Sequence, residues 1–202
     1  MKKIKKVLLI VSLLFLLTGC KNIFTYENVH PVYLEGKHNV EMKIKNYGII
    51  EMELDADVAP ITVTNFMNLV EEGFYDNNRI HRVLKDFVIQ GGEDYSNAKA
   101  EIKGEFDANG ISNNISHVRG TVSMARAGDY SSGFDTASTQ FFIVQKDNTS
   151  LDHYYAGFGK VTKGMEEVVD KIVKSIKSAD ENGMIQDEEE MPVIEYIKKI
   201  EK

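Results

Sequence analysis

The sequence predicts a mainly β domain, a closed antiparallel sheet with helices over its ends. Three observations carry this expectation. Several short segments alternate apolar and polar residues with the two-residue period of a half-buried strand. Only two stretches, well separated, show helical spacing. Nowhere do strands and helices alternate in the βαβ order that a parallel sheet requires.

In chain order, Val40, Met42 and Ile44 alternate with polar residues, Asn46-Tyr47-Gly48 supplies a turn, and Ile50, Met52 and Leu54 alternate again. That pattern reads as a hairpin with one buried face. Pro60 stands where a helix can start, since a first turn has no use for the N–H that proline lacks. Val63, Phe66, Leu69 and Val70 recur at helical spacing behind it, and Gly73 is the expected stop. The stretch 80–92, IHRVLKDFVIQGG, is the one the rest is organised around. His81 and Arg82 open it, Lys85-Asp86 is turn-like, and Phe87-Val88-Ile89-Gln90 follows before two glycines. Strand alternation would put Val88 and Gln90 on one side and Phe87 and Ile89 on the other.

Residues 96–116 are polar and rich in Asn, Gly and Lys, with Ile102, Phe106, Ile111 and Ile115 as anchors. They read as a long surface connection, of a length that carries function or follows a barrel rim. Residues 120–125 and 140–144 are two further buried strands separated by the loop 126–139, with Phe141 and Ile143 expected in the core. Another strand is expected at 158–161, a helix at 164–176 through Met165, Val168, Val169, Ile172 and Ile176, and an acidic loop at 178–190. Pro192 then introduces a last strand ending at Ile200. There is no internal repeat and no low-complexity tract.

The chain has 202 residues, enough for one domain with a sizeable core. Lys2, Lys3, Lys5 and Lys6 precede an apolar run at 7–17 broken only by Ser12, and Leu17-Thr18-Gly19-Cys20 follows. The run is shorter than the roughly 20 residues of a spanning helix, and its basic front end is that of an export signal. The four residues ending at Cys20 resemble the lipobox of bacterial lipoproteins, which implies a signal peptide over 1–19 and a lipidated cysteine at the mature N-terminus. An uncleaved anchor helix is the alternative. Two acyl chains are about what stable membrane attachment requires, so the expected location is the extracytoplasmic face of the cell membrane. Residues 20–38 read as the lipidated N-terminus and a linker, with Phe24, Tyr26 and Tyr33 along it, and the folded domain as 39–202. Without its first twenty residues the chain holds 20 basic against 31 acidic side chains, a net charge of −11. That balance argues against a nucleic-acid partner, which requires a basic footprint.

Several chemistries lack their residues. The histidines, His30, His38, His81, His117 and His153, are scattered without metal-ligand spacing, and Cys20 is the only cysteine. His81 and His117 are expected to be hydrogen-bonded structural residues. The acidic run 187–190 lacks the alternation of a calcium loop. There is no GxSxG, and Ser123 and Ser138 read as strand residues rather than nucleophiles. Glycine-rich phosphate loops are also missing, so no metal or cofactor is expected.

Four segments remain: HRVLKDFVIQGG at 81–92, GTVSMARAG at 120–128, STQFFIV at 138–144 and LDHYYAGFGKV at 151–161. In this order and spacing the chain resembles the cyclophilin-type peptidyl-prolyl cis-trans isomerases from about residue 40 to 200. The resemblance implies an eight-stranded closed barrel capped by two helices, with a proline-binding groove on its outer face. It implies that Arg82 is the catalytic arginine. Phe87, Val88, Phe142, Leu151 and Tyr155 would form the pocket for the proline ring, and Gln90, Ala125, Arg126 and Gln140 would hold the flanking peptide. The implied partners are proline-containing polypeptides, met by a monomer tethered through its lipid.

These residue types suit the chemistry. Resonance gives the peptide C–N bond a rotation barrier of roughly 18–20 kcal/mol. A guanidinium that donates to the prolyl nitrogen can do so only once that nitrogen is pyramidal, so the bond strengthens in the twisted state. A dry apolar pocket grips the ring and disfavours the more polar planar amide. Two positions depart from the family pattern. Ser150 stands where the members most sensitive to cyclosporin have tryptophan, which implies weak cyclosporin binding. Tyr155 stands where others have histidine and keeps an aromatic wall with a polar tip. The loop 129–137 is longer than in short family members, and its Tyr130 and Phe134 would either extend the groove or pack locally. The expected function is therefore isomerisation of X-Pro bonds, assisting the folding of exported proteins. The competing readings are a tethered proline-peptide binding module or holdase, and a surface protein whose acidic face binds an envelope partner.

Overall fold

The alternating segments become strands because one face of each has a core to meet. In the computed structural model, which describes residues 31–128 and 133–201, β1 (Lys37–Ile44) and β2 (Gly48–Asp55) pair antiparallel with Val40 opposite Met52 and Met42 opposite Ile50. Their inward residues, Val40, Met42, Ile44, Ile50, Met52 and Leu54, are fully buried. Asn46 takes up the left-handed conformation (φ 66°) that lets the turn close. Leu34, ahead of β1, packs on the same core, and its N–H donates to Thr64 Oγ1 at 2.8 Å. Cys20, the export signal, Phe24, Tyr26 and Tyr130 lie outside the described residues.

Six more strands follow: β3 (Ile80–Leu84), β4 (Val88–Gly91), β5 (Thr121–Met124), β6 (Phe141–Val144), β7 (Gly157–Lys163) and β8 (Ile194–Ile200). They join one eight-stranded antiparallel sheet in the order β3-β4-β6-β5-β7-β2-β1-β8. The described ladders make a curled sheet, less than the closed barrel expected. Its end strands, β3 and β8, meet through the single bridge Arg79–Val193 and the bonds Ile80 N–H to Pro192 O and Ile194 N–H to Asn78 O. Pro192 has no N–H to extend that seam.

Helix α1 (Pro60–Glu71) covers the inner face, burying Val63, Phe66, Met67, Leu69 and Val70. The Phe66 ring lies 5.1 Å from Tyr75, 5.2 Å from Phe158 and 5.5 Å edge-on from Phe141. Ala59 cannot cap this helix, and the capping group comes from far along the chain. Glu105 is buried and accepts from Ile61 N–H (3.0 Å), Thr62 N–H (2.8 Å) and Thr62 Oγ1 (2.6 Å). The long connection is therefore more than a surface tether: Phe106 is buried beside Glu105.

The second helix is shorter than its sequence pattern. A π-helical turn, Met165–Val169, precedes α2 (Asp170–Ser175), and the wider turn lets adjacent Val168 and Val169 both face the core with Ile172. The acidic run after it is occupied with capping: the Asp187 side chain accepts from Glu189 N–H, and Glu190 Oε2 accepts from Lys177 and Ser178 N–H. Ser123 lies in β5 as expected, whereas Ser138 falls just short of β6.

Candidate active site

Strand register builds the site before any side chain is considered. Arg82 on β3 pairs with Gln90 on β4, Gln90 with Phe142 on β6, and Phe142 with Ser123 on β5. Directly opposed residues share a face, so a guanidinium, a carboxamide, an aromatic ring and a hydroxyl stand in one row across four strands. The opposite face of the same strands sends Ile89, Phe141 and Ile143 into the main core.

On the outer face Val88, Phe142 and Val144 form a small cluster of their own, bordered by Phe87, Ala125, Leu151 and Tyr155. Phe87 was expected beside Ile89, and the structure corrects this. Asp86 turns left-handed (φ 61°) and β4 begins only at Val88, so strand alternation does not reach back to Phe87 and its ring joins Val88.

A cavity of about 280 Å³ opens over this cluster, lined by Arg82, Phe87, Val88, Gln90, Ala125, Arg126, Gly128, Phe142, Leu151 and Tyr155. Nine of the ten positions singled out in the sequence therefore share one space. The tenth, Gln140, lines an adjoining cavity of about 250 Å³ with Gln90, Ala125, Arg126, Ala127, Thr136 and Ser138.

Arg82 is held from two sides. Its Nε donates to the carbonyl of Asn182 (2.8 Å) and its Nη1 to Gln90 Oε1 (3.0 Å), while its guanidinium carbon lies 5.5 Å from the Phe87 ring centre. Burial lowers its pKa from the usual arginine value, opposed by Tyr155 and Asp180. An arginine stays protonated in a protein regardless, so the cavity keeps a partly desolvated cation beside an aromatic wall. Arg126 stacks on the opposite side, 4.8 Å from the Tyr155 ring, 5.4 Å from Phe106 and 5.3 Å from Phe134. Phe134 itself meets Phe106 edge-on at 5.4 Å, so this loop aromatic packs locally.

Sequence reasoning missed what stands behind Phe142. His117 is fully buried, its ring stacked 6.0 Å from Phe142, with Nδ1 2.8 Å from Asp152 Oδ1 and Nε2 3.0 Å from Ser123 Oγ. The order Ser-His-Asp mimics a hydrolase triad, but Ser123 and His117 are sealed from solvent and offer a substrate nothing to meet. Their bonds instead hold the ring that Phe142 leans on. Burial lowers the His117 pKa, with Asp152 opposing. His117 is thus the hydrogen-bonded structural residue expected. His81 is not: its buried Nδ1 has no hydrogen-bond partner among the described residues, and burial lowers its pKa against the pull of Glu93.

Residues 39–197 match the family described as Cyclophilin type peptidyl-prolyl cis-trans isomerase/CLD. The chain belongs to that family. It is 43% identical over 159 residues to a peptidyl-prolyl cis-trans isomerase of Acinetobacter baylyi, covering 76% of this chain and 80% of that one. It is 44% identical over 130 residues to peptidyl-prolyl cis-trans isomerase A of Dickeya dadantii, covering 62% and 66%. A solved Cryptosporidium parvum cyclophilin type isomerase, crystallised in the presence of the dipeptide Ala-Pro, superposes with a TM-score of 0.65 at 27% identity, over 81% of this chain and 99% of that one. It is accordingly a peptidyl-prolyl cis-trans isomerase, and its cavity lies where the row of cross-strand partners meets the apolar cluster.

Proposed function

We propose that this isomerase acts on X-Pro bonds of exported polypeptides, with Arg82 as its catalytic residue. One observation carries the reading: the guanidinium of Arg82 and the ring of Phe142 line the same cavity. A proline ring seated against Val88, Phe142, Leu151 and Tyr155 would bring its nitrogen under the guanidinium, with Phe87 closing the near side. Gln90, Ala125, Arg126 and Gln140 would hold the peptide on either side. The Ala-Pro dipeptide used with the solved relative supports a proline-containing ligand.

Rotation then needs no covalent step. As the amide twists, its nitrogen becomes pyramidal and basic, and the fixed guanidinium gains a hydrogen bond that the planar amide cannot offer. An acceleration of five decades asks for roughly 7 kcal/mol, which one charge-assisted hydrogen bond plus positioning can supply. The bonds to Asn182 and Gln90 matter because a donor already in place loses little on reacting.

The lipobox ending at Cys20 supports export and a membrane tether, so clients would be proteins folding outside the cytoplasmic membrane. The bonds joining 78–80 to 192–194 support a sheet closed on itself at that seam. The deciding experiment is isomerisation of an Ala-Pro peptide by the chain from residue 21 onward, comparing wild type with Arg82→Ala. A folded variant that has lost most of its rate supports the reading over a binding module, since recognising proline does not need the guanidinium. Equal rates would reject it.

A further inference from the structure

Arginine can only donate hydrogen bonds, and a carboxylate can only accept them. Between one of each, two side-chain amides run in line. Arg82 Nη1 donates to Gln90 Oε1 (3.0 Å), Gln90 Nε2 to Gln140 Oε1 (2.8 Å), and Gln140 Nε2 to Glu93 Oε1 (3.2 Å). A carboxamide turned end for end exchanges donor for acceptor at almost no steric cost. Here the turn is forbidden at both ends. We propose that Glu93 is a positioning residue for the isomerase reaction: it fixes the direction of this chain, so that the second N–H of Gln90 and of Gln140 faces the peptide carbonyls flanking the proline.

The backbone is built to bring Glu93 there. Gly92 has φ +88°, and a Cβ on it would lie 2.6 Å from Thr139 O and 3.2 Å from Gln140 Cα. The chain leaving β4 thus passes against the start of β6 at a distance only glycine allows. Asn78 clamps the next peptide on both sides, accepting from Gly92 N–H (3.0 Å) and donating to Glu93 O (3.1 Å). Tyr95 OH donates to the same Glu93 oxygen at 2.7 Å. Glu93 lines neither of the two cavities that hold the site, so it acts through Gln140. A charged acceptor at the end of a chain also strengthens the bonds along it.

The proposal rests on the functional reading above and is tested by a double-mutant cycle with kcat and KM measured separately on an Ala-Pro peptide. Glu93→Leu should raise KM by roughly three- to ten-fold, the range of one hydrogen bond, with a smaller effect on kcat. In a Gln140→Leu background the same substitution should change nothing further. Glu93→Gln, which keeps the shape and one acceptor oxygen, should recover part of the loss. Should Glu93→Leu fail to fold, the side-chain amide resonances of Gln140 in Glu93→Gln decide: a shift or doubling supports the proposal, and unchanged signals overturn it. Additive losses in an active wild type overturn this inference alone. An inactive wild type overturns the functional reading and this inference with it.

Discussion

β4 and β6 carry two apolar faces made of the same kinds of residue. On one, Ile89, Phe141 and Ile143 belong to the main core; on the other, Val88, Phe142 and Val144 form the small cluster beneath the cavity. Exposure hardly separates them, at 1% for Phe141 and 4% for Phe142. What separates them is the cover. Phe66 of α1 and Tyr75 meet Phe141 edge-on, each at 5.5 Å, and fill the space above it. Phe142 has Tyr155 edge-on at 5.7 Å, His117 behind it and a cavity in front. The sheet leaves one of its two aromatic faces open to a cavity, with the Arg82 cation at its edge.

The largest expected effects set the two faces against each other. Arg82→Ala should lower kcat/KM by about 10²- to 10³-fold, the usual loss when one transition-state donor is removed, with little change in urea unfolding. Phe141→Ala should do the reverse, costing about 3–5 kcal/mol of stability. Phe142→Ala should cost less stability than Phe141→Ala, because water from the groove can enter the space left, while losing most of the activity. If Phe142→Ala proved the more destabilising of the two and stayed active, the distinction between the faces would fail.

The cover has its own weak point in Glu105, which holds the first turn of α1 from across the fold. Truncating it leaves the half-buried Ile61 N–H, the buried Thr62 N–H and the Thr62 hydroxyl without their acceptor. Glu105→Ala should therefore lower unfolding free energy by about 2–3 kcal/mol. Activity per folded molecule should be unaltered, since the loss falls on the closed face. A variant of normal stability but poor activity would mean that the helix cover and the groove are coupled.

Acid should act through two buried histidines, His117 behind Phe142 and His81 on β3. Burial lowers the pKa of His117, only partly opposed by Asp152, and lowers that of His81 in the same direction. A histidine whose folded pKa lies below its unfolded value near 6.5 binds its proton first in the unfolded chain. Its stabilising contribution is complete above about pH 6.5 and is lost as pH falls towards the folded pKa. Melting temperature should decline between pH 7 and 5, and His117→Gln should flatten part of that decline. An identical pH profile in the variant would remove His117 as its source.

The sequence was informative where structure is periodic or local. Alternation in Val40, Met42 and Ile44 and the proline at 60 located the first hairpin and α1 because burial of one face dictates both patterns. The groove was legible through four segments read together, although Phe142 alone looks like any core phenylalanine. Long-range partners left no local mark. Glu105 caps a helix more than forty residues away, the Asn182 carbonyl anchors Arg82 from a loop that reads only as acidic, and Glu93 looks like a charge after a glycine pair. Phe87 was placed on the wrong face because a period of two holds only within a strand, and Asp86 delays its start.

The smallest effect belongs to the rim. Ser150 sits in a short 3-10 turn, Thr149–Leu151, exposed, with its hydroxyl donating to Asn148 Oδ1. Leu151 beside it lines the cavity, but Ser150 adds no apolar surface to the groove's edge. A small proline peptide would not notice, whereas a large apolar ligand such as cyclosporin must find contact area beyond the notch. Wild type should therefore bind cyclosporin weakly, and Ser150→Trp should tighten binding by about ten-fold, the worth of one well-placed aromatic anchor, with turnover of an Ala-Pro peptide unchanged. Inhibition titrations of the two proteins measure this directly. A tight complex with wild type would mean that the open aromatic face extends past Leu151, and that the groove is larger than its lining residues suggest.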